Sequence, residues 1–282
     1  MAWAEAREKV AEKKRIDVLL VETGYFDSRE KARAALMAGD VTVNGAIVDK
    51  PGQKVQAGKE DITIKQKMPY VSRGGYKLAR ALQVFPIDMR GRVVLDIGAS
   101  TGGFTDCALQ NGAAAVYAVD VGYGQIAWSL RSDPRVQVLE RTNIRYMEDD
   151  VFTVGVPDLL TIDVAFISLA LVLPRVDYLL NSYEGVALVK PQFEAGRKAV
   201  GKKGVVKDPA VHREVLHNIV HNVTCLGMAV LGVDYSPVKG PEGNIEYLLY
   251  FKKPAHNADG LSVLIDRAVS EAHRNLSGGT EH

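Results

Sequence analysis

The chain has 282 residues, 47% apolar and 24% charged, with 35 Lys and Arg against 34 Asp and Glu for a formal net charge of +1. That balance excludes a wholly disordered chain and leaves room for a full core and two domains. No apolar run reaches the roughly 18 residues of a membrane-spanning helix, and the two cysteines, Cys107 and Cys225, exclude a disulfide framework or a Cys-rich zinc site.

The N-terminal stretch alternates charge and has no apolar h-region, so no signal peptide is expected and the protein reads as cytoplasmic and reduced. Near-zero total charge argues against a nucleic-acid partner until it is divided along the chain. Residues 1–67 carry a net +2, residues 68–92 a net +4 and residues 93–282 a net −5. A local basic stretch is a better sign of phosphate binding than the total.

Residues 13–66 are expected to form a small α/β unit. Ile16, Leu19, Leu20 and Val21 begin an amphipathic helix that stops near Gly24. Asp27-Ser28-Arg29-Glu30 reads as a capping box with Asp27 at the N-cap, opening a helix over Arg29–Ala38 that ends at Gly39. Val41–Val48 alternates around Asn44-Gly45, a hairpin signal, and Asp61–Lys65 is a last short strand. Residues 67–73, with a proline and few apolar side chains, are expected to be a linker, and a helix follows from Tyr76 to about Phe85.

From Val93 the pattern changes to short apolar strands separated by helices, which predicts a buried, mostly parallel sheet covered on both faces. The expected strands are 93–96, 116–120, 136–139, 159–163, 186–190, 229–235 and 245–252; the expected helices are 104–111, 124–131, 167–180 and 209–226. The last two strands are joined only by the turn 237–244, so they should pair antiparallel at one end of a seven-stranded sheet. This domain is placed at 74–255, with a terminal helix and tail over 256–282.

Within it, Val93–Asp96 runs into Ile97-Gly98-Ala99-Ser100-Thr101-Gly102-Gly103-Phe104: a strand, a tight glycine loop and a helix start. The glycine spacing matches neither the dinucleotide fingerprint nor the P-loop. Asp96 at the strand end would repel a pyrophosphate and suits a cationic ligand. Asp120, 24 residues on, can accept hydrogen bonds from a ribose. A glycine loop flanked by two carboxylates fits S-adenosylmethionine, with Asp96, Gly98, Ser100, Gly102, Gly103, Phe104, Asp120 and Asp163 as the cofactor-binding candidates.

Four more polar residues, Lys77, Asp163, Lys190 and Glu246, are expected to converge. Asp163 and Lys190 end parallel strands, and an antiparallel final strand would start at the same edge and bring Glu246 there. Alternating lysines and carboxylates can hold one lysine at a lowered pKa. His217 and His221, at i and i+4 on a helix, have no third ligand, so no metal is expected. The basic loop Gly201-Lys202-Lys203-Gly204 reads equally well as a lid contacting RNA phosphate and as a solvated loop. Tyr70 and Tyr76 read as packing residues.

The stretches SRGGYKL (72–78), DIGASTGGFTDC (96–107), AVDVGYGQ (118–125), TNIR (142–145), DVAFISL (163–169), LVKPQFE (188–194), GVVKDP (204–209) and GNIEYLL (243–249) together resemble the TlyA family of ribosomal RNA 2'-O-methyltransferases, once labelled hemolysins. The resemblance covers about residues 13–252, and the catalytic half is similar to FtsJ-type ribose methyltransferases. It implies a Rossmann-like, S-adenosylmethionine-dependent methyltransferase acting on cytidines of ribosomal subunits, without metal or membrane. Its Lys-Asp-Lys-Glu catalytic tetrad falls on Lys77, Asp163, Lys190 and Glu246. Ala165 stands where the pattern has a serine, a departure that bears on that hydroxyl and not on the tetrad.

The front unit resembles the alpha-L RNA-binding domain of a small-subunit ribosomal protein and of pseudouridine synthases. Its RNA-binding candidates are Lys14, Arg15, Arg29, Lys31 and Arg33, joined by Arg73 of the linker. Two alternatives belong to other classes. A membrane-lytic protein would need an amphipathic membrane helix, for which only 259–276 qualifies, and docking explains that stripe more simply. An RNA-binding protein without activity would have no use for the tetrad and the glycine loop.

Overall fold

A computed structural model describes residues 13–58, 60–65, 68–196 and 198–276. The chain divides into two compact units, Met1–Lys67 and Met68–His282.

In the first unit a short strand, β1 (Lys13–Arg15), leads into helix α1 (Ile16–Glu22), followed by α2 (Arg29–Met37), β2 (Val41–Val43), β3 (Ala46–Ile47), β4 (Lys54–Gln56) and β5 (Ile62–Ile64). The β2–β3 hairpin turns at Asn44 and Gly45, both at positive φ (51° and 79°), as the Asn-Gly pair predicts. β5 adds to the other side of β2. β1 and β4 form a separate antiparallel ladder that the sequence did not announce, because neither Lys-Lys-Arg nor Lys-Val-Gln has an apolar period. Ile16, Leu20, Ala32, Leu36 and Val41 are fully buried between helices and strands.

The α2 cap differs from the expectation by one residue. Ser28, not Asp27, is the N-cap: extended at φ −148° and ψ 155°, it accepts the Lys31 N–H at 3.3 Å. Glu30 is therefore one position too early to close a capping box, and Asp27 instead pairs with Lys31 Nζ at 2.8 Å.

The second unit runs α3 (Gly74–Val84), β6 (Val93–Ile97), α4 (Gly103–Gln110), β7 (Ala115–Val119), α5 (Trp128–Arg131), β8 (Val136–Leu139), β9 (Leu159–Ile162), α6 (Leu169–Leu179), β10 (Tyr183–Val189), α7 (Pro191–Glu194), α8 (Pro209–Cys225), β11 (Ala229–Tyr235), β12 (Tyr247–Lys253) and α9 (Leu261–Leu276). The seven strands stand in the order β11-β12-β10-β9-β6-β7-β8. β12 is antiparallel to both its neighbours, while β6 to β10 are mutually parallel. The fold is thus the expected α/β, Rossmann-like sheet with an antiparallel last strand.

Alternate residues of the strands feed two cores. Leu95, Tyr117, Leu160 and Ala187 point to the α6, α8 and α9 side; Val94, Val116, Leu159 and Val186 point to the α3 and α4 side. Each buried Leu or Val stabilises by about 1.5–3 kcal/mol relative to exposure. The chain proceeds in one direction from β6 to β7 and in the other to β9. This reversal opens a crevice beyond the carboxyl ends of β6 and β9.

Three expectations shift. Residues 69–71 of the expected linker are anchored to α4: Gln110 donates to the Pro69 carbonyl at 2.8 Å and the Val71 N–H donates to Asp106 at 2.8 Å. Tyr70 lies over Gly75 so closely that a Cβ there would sit 2.1 Å from its ring. The helix expected at 124–131 begins only at Trp128, because Gly124 takes φ +71° and Ala127 donates instead to the Thr101 carbonyl. α9 docks with Ile265, Ala268, Val269 and Ala272 buried, so the terminal helix belongs to this unit. The tail expected at 277–282 lies outside the described residues.

Candidate active site

The crevice is built around the glycine loop between β6 and α4. Gly98 takes φ +85°, and a Cβ there would meet the Asp163 carbonyl oxygen at 2.5 Å, so the two strand ends approach only because position 98 has no side chain. Gly103 plays the same role between helices: its added Cβ would lie 2.3 Å from Ser72 Oγ and 2.8 Å from the Gly75 nitrogen, which brings α3 against α4. α3 thereby delivers Lys77 to the crevice.

Two cavities flank this loop. One, of about 320 Å³, is lined by Gly98, Ser100, Gly103 and Phe104, by Arg73, and by all four of Lys77, Asp163, Lys190 and Glu246. The other, of about 500 Å³, is lined by Asp120, Val121, Gln125, Asn143, Ile144 and Phe166 among others. Gly98, Ser100, Asp163 and Ala165 belong to both, so the cavities adjoin at the ends of β6 and β9.

The four charged residues form one alternating chain. Lys190 Nζ lies 2.6 Å from Asp163 Oδ1. Lys77 Nζ lies 3.9 Å from Asp163 Oδ2 and donates to Glu246 Oε2 at 2.6 Å. Lys77 is 8% and Glu246 1% exposed, so water does little to screen them. Lys190 and Glu246 flank their strands by one residue, at the N-cap of α7 and just before β12. The convergence predicted from strand direction is therefore present.

Other candidates occupy different places. Asp96 reaches neither cavity. Fully buried, it accepts Thr105 Oγ1 at 2.6 Å and Thr161 Oγ1 at 2.8 Å, and burial pushes its carboxyl up to about 6. It is not available to a cationic ligand, because β6 continues to Ile97 and the side chain before it turns into the sheet. Gly102 also lines neither cavity. At φ +96° it caps α4, where a Cβ would meet Leu130 Cδ1 at 2.2 Å. Asp120 lines the second cavity, but its carboxylate already accepts the N–H groups of Ser100 (2.8 Å) and Gly122 (2.7 Å), so it also braces the glycine loop. Gln125, Asn143 and Ile144 also line the second cavity and are not among the expected site residues. The carboxyl-edge rule that singled out Asp163, applied to β8, points to 142–144.

In the first unit, Arg15 (3.0 Å) and Arg29 (2.8 Å) converge on Asp17, which is fully buried and held at about 2 by the two guanidinium groups. Lys14 pairs with Glu22 and Lys31 with Asp27. Arg33 is exposed on α2. His221 contacts Cys225, and no metal-holding group of His, Cys, Asp or Glu occurs among the described residues. Tyr70 and Tyr76 pack edge to face with centroids 5.7 Å apart.

Comparison with known proteins agrees with this architecture. Residues 70–253 match the FtsJ-like methyltransferase model and residues 14–61 the S4 domain model. The chain belongs to the TlyA family of FtsJ-like methyltransferases. It is 43% identical over 267 residues to the 16S/23S rRNA (cytidine-2'-O)-methyltransferase TlyA of Mycobacterium tuberculosis, covering 93% of this chain and 99% of that protein. It is 51% identical to Bacillus subtilis YqxC over 94% of this chain and 96% of the relative. Hemolysin A of Brachyspira hyodysenteriae is 40% identical over 84% of this TlyA-family chain and 99% of that one. A solved chain from Streptococcus thermophilus superposes with TM-score 0.73 at 45% identity, over 95% of this chain and 98% of the other. No helix among the described residues is long and apolar enough to cross a membrane.

Proposed function

We propose that this TlyA-family protein methylates the ribose 2'-hydroxyl of cytidines in ribosomal RNA, in one or both subunits, with S-adenosylmethionine as the methyl donor. The observation that carries the reading is the Lys190–Asp163–Lys77–Glu246 chain on the wall shared with the glycine loop. The donor set fits the cofactor. The loop presents backbone rather than side chains, and Ser100 and Asp163 stand at the junction of the two cavities, with Asp163 as the anionic group where a cation would sit. When bound, S-adenosylmethionine supplies an electrophilic methyl on a positively charged sulfur.

The chain's own residues do the rest. A 2'-hydroxyl is a weak nucleophile, so the site must orient it and stabilise negative charge developing on its oxygen. Lys190, fixed by Asp163, faces that oxygen and supplies the positive charge; as the O–CH3 bond forms, the S–CH3 bond of the donor would break with its electron pair staying on sulfur, and the hydroxyl proton would pass to solvent water. Lys77 and Glu246 fix Asp163 from the other side and hold the ribose. Gly98, Ser100, Gly103, Phe104 and Asp120 line the cofactor pocket. The 13–66 unit, with Arg15, Arg29, Lys31 and Arg33, and Arg73 next to the tetrad supply backbone contacts to the ribosomal RNA. A ribosomal substrate places this work in the cytoplasm.

The test is methyl transfer to purified ribosomal subunits. Lys190→Ala should lower the rate by about a thousandfold, the scale of losing a preorganised electrostatic group, while still binding S-adenosylmethionine by calorimetry. Undiminished transfer by this variant would remove Lys190 from the mechanism.

A further inference from the structure

We propose that Lys202, Lys203 and Lys207 form a phosphodiester track beside the active site, which takes the RNA backbone flanking the methylated nucleotide. This rests on the rRNA methyltransferase reading above and gives the basic glycine loop a purpose.

The turn 237–244 is the wall between two cavities. Val238, Lys239, Gly240 and Pro241 line the catalytic one, and the next two residues, Glu242 and Gly243, line a cavity of about 620 Å³ whose other walls include Lys202, Lys203, Lys207 and Asp208. A strand of RNA leaving the tetrad over this turn meets the lysines next.

The lysine loop is built and not merely tethered. Gly204 takes φ +73° and its N–H donates to the Gly201 carbonyl at 2.8 Å; the Gly201 N–H donates to the Val205 carbonyl at 3.1 Å. Asn244, 2% exposed, accepts the Val206 N–H at 3.0 Å and donates to the Gly204 carbonyl at 2.9 Å. The residue that fixes the lysine loop thus stands two positions before Glu246 of the tetrad. A buried amide that satisfies both its polar ends costs little and specifies one arrangement.

Charge supplies the second observation. Elsewhere in this unit Arg80, Arg92, Arg131, Arg135, Arg175, Arg213 and Lys253 are ion-paired, whereas Arg73 and Lys239, on the wall of the catalytic cavity, have no ion-pair partner among the described residues. Lys202, Lys203 and Lys207 have no ion-pair partner among the described residues, although Asp208 and Glu242 line the same cavity. Asp208 is used otherwise, as the N-cap of α8 that accepts the Ala210 N–H at 2.8 Å. Three unneutralised ammonium groups repel one another and gain by meeting a polyanion, whose counterions they release. No aromatic side chain lines the cavity, so its chemistry reads phosphate and not bases.

The experiment measures binding of the full chain to transcribed 16S and 23S rRNA at several salt concentrations. Replacing all three residues (Lys202→Ala, Lys203→Ala, Lys207→Ala) should weaken binding about tenfold and lower the slope of log affinity against log salt by about two, for three contacts at roughly 0.7 each. The triple Lys→Arg variant should retain both. S-adenosylmethionine binding reports that each variant is folded. An unchanged slope in a folded alanine variant overturns the track, as does an equal loss in the arginine variant, which would mean that shape and not charge is recognised. Failure of the wild-type protein to bind either RNA would instead overturn the functional reading.

Discussion

Two lysine–carboxylate pairs, one in each unit, show what burial does to identical chemistry. Lys31, in the first turn of α2, and Asp27, just before its N-cap, meet at 2.8 Å with side chains 63% and 88% exposed. Lys77 and Glu246 meet at 2.6 Å with side chains 10% and 1% exposed, and Lys77 also lies near Asp163. The first pair joins residues four apart at a helix start in water, and each partner remains free to turn to another ion. The second joins positions 169 residues apart and exists only because the sheet brings α3 to the foot of β12. In water such a pair is nearly neutral for stability. In the crevice, loss of one partner strands the other.

The contrast can be broken at four places, in descending order of effect. Glu246→Gln should leave the buried Lys77 charge with only the more distant Asp163 to offset it, cutting methyl transfer by about a hundredfold or more and costing about 3 kcal/mol in urea unfolding; a variant that unfolds at the wild-type midpoint would show that the pair is solvated after all.

The second is a pH response. His212, fully buried, donates from one ring nitrogen to the Val206 carbonyl (3.1 Å) and meets Tyr247 Oη (2.7 Å) and His273 (3.0 Å) at the other, so burial pulls its pKa down to about 4. Asp208 opposes and His273 adds to the shift. A depressed native pKa means that the unfolded chain binds the proton first as pH falls. The His212 contribution is therefore complete above pH about 6.5 and is lost progressively down to about 4, worth about 3 kcal/mol. Unfolding midpoints measured across that window should drop in the wild type and flatten in His212→Gln.

Third, Asp17→Asn should destabilise the first unit by about 2 kcal/mol at neutral pH, because it removes the buried charge that holds Arg15 and Arg29. With a native pKa of about 2, the same stability should vanish in the wild type as pH falls from about 4 to 2. Smallest is Lys31→Ala. It should leave the melting temperature unchanged and lower the salt slope of RNA binding by about 0.7; a large thermal shift would show that the exposed pair is structural.

These contrasts also mark how far the sequence could be read. The tetrad was legible because three of its members sit at the ends or starts of strands, and strand direction in a parallel sheet fixes which edge those ends share. Asp96 was misread for a related reason. It also stands near a strand end, but the strand continues for one residue more, and the two-residue period turns the carboxylate into the interior toward Thr105 and Thr161. Arg15 and Arg29 look like free phosphate ligands in a charge count, and only the placement of Asp17 at the start of α1 gives them a partner.

By itself, the sequence determined the succession of the seven strands of the second unit, the Asn-Gly hairpin, the glycine loop and the resemblance that assigns the family. Each is local, set by side-chain period or by backbone freedom over a few residues. Tertiary structure decided which charges are solvated and which are confined. It turned Asp120 toward the glycine loop, closed 69–71 onto α4, and stationed Asn244 between the lysine loop and Glu246. The physical reason is that the dielectric around a charge and its distance from a partner depend on residues far away in the chain. A sequence shows the charges, and only packing shows what surrounds them.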